Sequence, residues 1–350
     1  MTSRTPEQQH VCLLLADLSG YTEYVAASEP EHAPAMAGDL VEAVVRQLRP
    51  AFKLEKLEGD AAFLLAPLAE LDGTRLLDAI DAAYDTFSRR VESLRQGTTC
   101  DCESCRRVPD LDLKFVVHTG AVTRHRVAGR SEVGGTDAIL AHRLLKAATP
   151  ARLGLSRYIL LTDACLTALN LEADASAGQA AIESFEYLGE VPVHVLPLGI
   201  SPTPASWSAP VNRRPIAETE VELAAPPMTV WDELTSPSRR PGWQGELQLE
   251  EHDPRERRGV GSMTTCVANR LATVEEILEW RPFDGFVRRA KVDGIGRLTG
   301  EHRLTPSPDG TRTQLHVRWF GPAAAQDLAA EQAERLSVLA THLEVTHANR

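Results

Sequence analysis

A chain of 350 residues with a formal net charge of -12 is longer than one ordinary domain and long enough to bury two cores. The acidic balance argues against a nucleic-acid backbone as partner, and no apolar run approaches the ~20 residues that a membrane span needs. Met1 to Gln9 is polar with no cleavage-type segment after it, so a soluble cytoplasmic protein is expected.

Val11 to Leu15 is a short apolar run that predicts a buried strand, and Gly20 and Thr22 mark a turn and a helix start. Ala35 to Leu48 has apolar residues at helical spacing and is ended by Pro50. Phe52 to Leu65 reads as a hairpin around Glu58-Gly59-Asp60, followed by a long helix over Leu76 to Leu94. Leu111, Leu113, Phe115 and Val117 alternate as in a half-buried strand, Ala138 to Ala147 is helical, and Phe185 to Leu198 supplies closing strands. Helices alternating with strands argue for layered α/β architecture. From 200 to 215, Pro202, Pro204, Pro210 and Pro215 read as a linker between domains at 1–199 and 216–350. In the second domain, Ala217 to Leu223 alternates and Pro226 to Leu234 forms a helix with Trp231 on its apolar face. A run of strands follows, through Leu247–Leu249, Gly261–Ala268, Leu271–Trp280, Phe286–Val292, Gly300–Leu304 and Thr313–Phe320. A long amphipathic helix over Ala323 to Leu343 completes an α+β order.

Two of these turns carry chemistry. Asp17 and Asp60 are carboxylates beside glycine turns, and neighbouring strands would bring them together. Hard divalent cations take a few carboxylates plus phosphate oxygens, and two such ions clamping a triphosphate promote in-line displacement at phosphorus. The backbone N–H groups of Leu18, Ser19, Gly20, Tyr21 and Thr22, leading into a helix, suit phosphate oxygens. The plainer alternative makes Asp17 a helix-start residue and Asp60 a turn residue. Cys100, Cys102 and Cys105 form a thiol cluster that fits either a Zn²⁺ site needing one more ligand, a distant His or Cys, or reduced thiols without metal. His118 in Val117-His118-Thr119-Gly120 reads as a hydrogen-bonded structural histidine.

The order Asp17, Gly20-Tyr21-Thr22, Lys56, Gly59-Asp60, Val117-His118-Thr119-Gly120 and Gly135 through Arg143-Leu144 resembles class III nucleotidyl cyclases over residues 10 to 200. The resemblance implies a ferredoxin-like α/β sandwich, Mg²⁺ or Mn²⁺ on Asp17 and Asp60, and ATP as the favoured nucleoside triphosphate. It assigns Lys56 and Glu132 to the adenine edge and Arg143 to transition-state charge. It also implies a homodimer in which Asp17 and Asp60 of one chain face Lys56, Glu132 and Arg143 of the other. Where the family orients the ribose with Asn, this chain has Ile139; a lost positioning contact of that kind costs about a hundredfold in rate. Residues 216–350, through Ala224-Ala225-Pro226-Pro227-Met228-Thr229-Val230-Trp231, Asp309-Gly310-Thr311 and their element order, resemble the SRPBCC (START-like) helix-grip superfamily, which implies a cavity for an apolar small molecule. The leading expectation is therefore a divergent cyclase-like protein that binds a nucleoside triphosphate with Mg²⁺ and turns it over weakly or not at all, coupled to a small-molecule-binding domain. An active adenylyl cyclase, or an apolar-ligand binder that uses the first domain as a dimer scaffold, are the alternatives.

Overall fold

The strand β1 (Gln8–Ser19) organises the first half of the chain. Its residues Val11 to Ala16 are all buried, because both faces of the sheet are covered; this is why the sequence there is a continuous apolar run rather than an alternation. The computed structural model describes residues 8–28, 32–97, 102–171, 178–198, 214–245, 248–252, 259–268, 271–292 and 295–348. Two units divide the chain, Met1–Ser201 and Pro202–Arg350. The Pro-rich stretch at 200–215 lies almost wholly outside the described residues.

In the first unit, β1 is followed by α1 (Tyr21–Ala26), α2 (Ala33–Leu48), the hairpin β2 (Lys53–Glu58) and β3 (Ala61–Pro67), α3 (Gly73–Gly97) and α4 (Glu103–Arg107). Then come β4 (Asp112–Val127), β5 (Arg130–Gly134), α5 (Thr136–Leu144), α6 (Thr149–Arg152), β6 (Tyr158–Thr162), α7 (Asp163–Leu169), β7 (Gln179–Phe185) and β8 (Gly189–Pro197). The sheet order is β2-β3-β1-β4-β6-β8-β7, with β5 added on β4. β1 lies antiparallel between β3 and β4, and β6 runs parallel to β4. One face packs Leu13, Leu15, Phe63, Leu65 and Val116 against Ala141 and Leu144 of α5. Leu14 and Leu64 on the other face are fully buried as well, and α2 packs on both α3 and β3.

Strand β4 is much longer than the predicted Leu111–Val117, because β5 folds back on its second half and pairs it from Thr123 to Val127. The strand β6 and helix α7 were not expected. Tyr158 to Thr162 is buried throughout and too short to show a period.

The second unit contains β9 (Ala217–Leu223), α8 (Pro227–Thr235), α9 (Pro241–Gln244), β10 (Gln248–His252), β11 (Met263–Ala268) and β12 (Leu271–Arg281). After these come β13 (Gly285–Val292), β14 (Gly296–Pro306), β15 (Thr313–Phe320) and α10 (Gln326–Ala348). Its antiparallel sheet has the order β10-β11-β12-β13-β14-β15-β9, and the long α10 packs against β9 and α9. Trp231 of α8 is fully buried, with edge contacts to Trp280 at 4.5 Å and Phe286 at 5.7 Å between ring centroids. The fold class is as expected: a mixed α/β domain, then a sheet-rich α+β domain with a long last helix.

Candidate functional site

Register brings the two sequence-distant acids together. β1 pairs β3 with Asp17 opposite Ala61, so Asp60, one residue back in the hairpin turn, stands beside Asp17. Gly59 takes φ 67°, a conformation that side chains other than glycine rarely adopt, and so forms the turn that presents Asp60. Partial burial, then the negative charge of Asp17 and a hydrogen bond to it, raise the Asp60 carboxyl from 3.8 to about 6. On its other side β1 pairs β4 with Asp17 opposite Lys114, whose Nζ lies 3.0 Å from Asp17 Oδ2. Lys114 offsets part of the pair's charge and pulls the Asp60 carboxyl back down.

These three side chains line an open groove of about 830 Å³. Lys56, Glu58, Ile139, His142, Arg143 and Lys146 complete its polar rim and floor, with Ile139 55% exposed despite its alkyl side chain. Lys56 is ion-paired with Glu58 and its Nζ stands 5.8 Å from the Phe63 ring centre. His142 Nε2 approaches Glu58 Oε2 at 2.9 Å. A second cavity of about 380 Å³ meets the groove at Asp60; Tyr21, Gly59 and residues of α2 line it. The groove thus holds three carboxylates and four permanent cations, an arrangement that can take a polyanion together with a metal ion.

Helix α5 owes its place to a buried polar knot. His118 Nδ1 is 2.9 Å from Thr162 Oγ1 and its Nε2 is 3.3 Å from Asp137 Oδ1, while Asp137 Oδ2 accepts from the Ala121 amide at 2.6 Å. Burial holds His118 below its ordinary value against the pull of Asp137. A Cβ at Gly120 would meet the Asp137 carboxylate at 2.3 Å, so glycine there leaves the space that Asp137 fills. His118 therefore has the hydrogen-bonded structural place that its motif suggests.

Of the residues singled out in the sequence, Asp17, Lys56, Asp60 and Arg143 line this one groove of a single chain. Glu132 is not among the groove's lining residues, although Val133 and Gly134, further along β5, are. Leu18 to Thr22 do not line it either. The Leu18 side chain is in the core, Ser19 Oγ donates to the Ser156 carbonyl, and Tyr21 lines the second cavity. Lys114, His142 and Lys146 escaped sequence reasoning. Lys114 faces Asp17 only through strand pairing, which has no signature in a single sequence. Cys102 caps α4, and Cys100 lies outside the described residues.

The second unit buries an ion cluster. Glu275 lies 2.9 Å from Arg240 Nη2 and 3.3 Å from Arg288 Nη1. Burial alone would raise the Glu275 carboxyl, but the two guanidiniums outweigh it and hold it at about 2. Cys266, beside the cluster, has its thiol pushed up to about 11 by burial and the Glu275 charge. The small cavity of about 20 Å³ at this cluster is also lined by Trp280 and Phe286.

Comparison with known proteins places this architecture in a family. "Uncharacterized protein Rv2561/Rv2562" of Mycobacterium tuberculosis is 34% identical over 165 residues, 47% of this chain and 74% of that protein. The chain belongs to the Rv2561/Rv2562 family. Residues 37–152 match the family model described as "Protein of unknown function (DUF2652)". Residues 214–344 match "Polyketide cyclase / dehydrase and lipid transport", which bears out the SRPBCC expectation for that segment. Solved structures with a similar fold include a bacterial light-regulated adenylyl cyclase (TM-score 0.43, 10% identity, 55% of this chain and 52% of that one). The adenylyl cyclase CyaB of P. aeruginosa is another (TM-score 0.39, 13% identity, 56% of this chain and 98% of that one). The chain spans about half the length of the light-regulated enzyme.

Proposed function

We propose that the first domain binds a nucleoside triphosphate, ATP in preference, with Mg²⁺ or Mn²⁺ on Asp17 and Asp60, and converts it to cyclic nucleotide weakly or not at all. One observation carries this reading: strand register sets the two carboxylates side by side in a cation-lined groove, where the charge of Asp17 helps raise the Asp60 carboxyl. Two acids held that close repel each other at neutral pH, and a divalent ion offsets the repulsion while accepting phosphate oxygens in its remaining positions. Lys56, Lys114, Arg143 and Lys146 suit the charge of the triphosphate. Ile139 supports the low turnover, because an alkyl group on the groove wall cannot hydrogen-bond a ribose. A second copy of the chain closing the open groove over exposed Ile139 would give the homodimer.

The test is calorimetric titration of the full chain with ATP and Mg²⁺, beside an assay for cyclic AMP with Mg²⁺ or Mn²⁺. Binding that Asp17→Asn abolishes, with little or no cyclic AMP, is the expected result. Vigorous cyclic AMP formation, lost in Asp17→Ala, would instead establish an active adenylyl cyclase. Absence of ATP binding would reject both.

A second reading gives the function to residues 216–350, because they match a family described by lipid transport. That domain would hold an apolar small molecule, and the first domain would serve as a dimer scaffold. A thermal shift with lipophilic compounds but none with ATP and Mg²⁺ separates this reading from the first.

A further inference from the structure

The thiol cluster has a partner that no spacing in the sequence announces. His32 stands at the N-terminal position of α2, and Cys102 caps α4 seventy positions later. α4 packs on both α2 and α1, and the Ser104 carbonyl accepts from Tyr24 Oη of α1 at 3.0 Å; the packing of α2 and α4 brings the two helix starts together. His32 Nδ1 lies 3.3 Å from Cys102 Sγ, and the donor atoms of His32, Cys102 and Cys105 all fall within 4.8 Å of one another.

We infer that His32, Cys102 and Cys105 are ligands of a Zn²⁺ ion. With Zn–S of about 2.3 Å and Zn–N of about 2.0 Å, a tetrahedral ion separates an N and an S ligand by about 3.6 Å and two S ligands by about 3.8 Å. The observed 3.3 Å between imidazole nitrogen and sulfur is within a few tenths of that edge. Cys102-Glu103-Ser104-Cys105 has the two-residue spacing with which thiolates grip zinc. The Cys105 amide donates to Cys102 Sγ at 3.4 Å, which fixes that sulfur at the start of α4.

The surrounding charges leave the ion a task. Arg106 is paired with Glu103 at 3.0 Å and Arg107 with Asp110 at 3.1 Å, so both nearby guanidiniums already face carboxylates. A soft divalent cation matches two thiolates and an imidazole, whereas Mg²⁺ takes oxygen ligands. The zinc centre is therefore distinct from the carboxylate pair in donor type and in metal, and it stands whether or not the groove binds a nucleotide. Bound metal would tie the start of α2 to the start of α4, and it would stabilise the first domain by mass action.

The experiment is Co²⁺ titration of the reduced, full-length protein, with zinc content measured on the protein as purified. One equivalent of Co²⁺ should give thiolate-to-cobalt charge-transfer absorption and the visible bands of a tetrahedral site, and Zn²⁺ should displace it. His32→Ala, at an exposed position that leaves the fold intact by circular dichroism, should weaken Co²⁺ binding by more than about tenfold, the least that losing even an outer-shell partner costs. Cys105→Ser should diminish the charge-transfer band, and Asp17→Asn should leave the spectrum unchanged. Three results would overturn the assignment: no charge-transfer band in the reduced protein, a band indifferent to His32→Ala, or a Cys102–Cys105 disulfide that persists under reducing conditions.

Discussion

Replacing Asp60 by Asn keeps the size of the side chain and removes the charge that the fold opposes. A shift of the carboxyl from 3.8 to about 6 corresponds to about 3 kcal/mol if taken at face value. Asp60 is only half-buried, so solvent screening reduces this to about 1 kcal/mol. The folded-state value is the higher one, so the folded protein binds the proton more tightly than the unfolded chain. This contribution to stability is fully present below pH 3.8 and is lost as pH rises through about 6. At pH 7 the Asn variant without metal should therefore be the more stable by about 1 kcal/mol, or about 3 °C in melting temperature for a domain of this size. Mg²⁺ or Mn²⁺ should reverse the order, stabilising the wild type and leaving the variant unmoved. Thermal melts of both proteins between pH 4 and 8, with and without metal, measure each part. Equal melting temperatures at pH 7, with equal responses to metal, would refute the reading of Asp17 and Asp60 as a strained pair awaiting a cation.

Four further outcomes are expected. Lys114→Met removes an ammonium that lowers the Asp60 carboxyl, so the pH midpoint of Mg²⁺ binding should move upward, as read by titration calorimetry across pH. Ile139→Asn restores a polar group on the groove wall and should raise cyclic AMP formation toward about a hundredfold without changing ATP affinity; no increase would remove Ile139 as the reason for low turnover. Gly120→Ala drives a Cβ against the Asp137 carboxylate and should cost about 1–3 kcal/mol in denaturant melts. Glu275→Gln leaves Arg240 and Arg288 buried without their counter-charge and should destabilise the second domain by about 3–5 kcal/mol.

Much of the architecture is legible in local pattern. The apolar run of β1, the helical spacing of α2, the Glu58-Gly59-Asp60 turn and the strand succession after residue 216 are each fixed by nearest-neighbour preferences that a single chain displays. Asp17 and Asp60 could be suspected because each sits beside a glycine turn, where a strand ends and a carboxylate is left at the edge of the sheet. By contrast, β6 is five buried residues without a period. The far half of β4 depends on β5 to pair with it.

The amino-acid order by itself determined which residues could hold a metal or a phosphate, because acids, thiols and turn glycines declare their chemistry wherever they stand. Tertiary structure alone decided which of them meet. Lys114 reached Asp17 through antiparallel register, His32 reached Cys102 through the packing of two helix starts, and Glu132, just ahead of Val133 and Gly134 in β5, was left off the groove's lining. Strand register and helix docking are set by burial summed over whole elements, and that sum is not written at any one position.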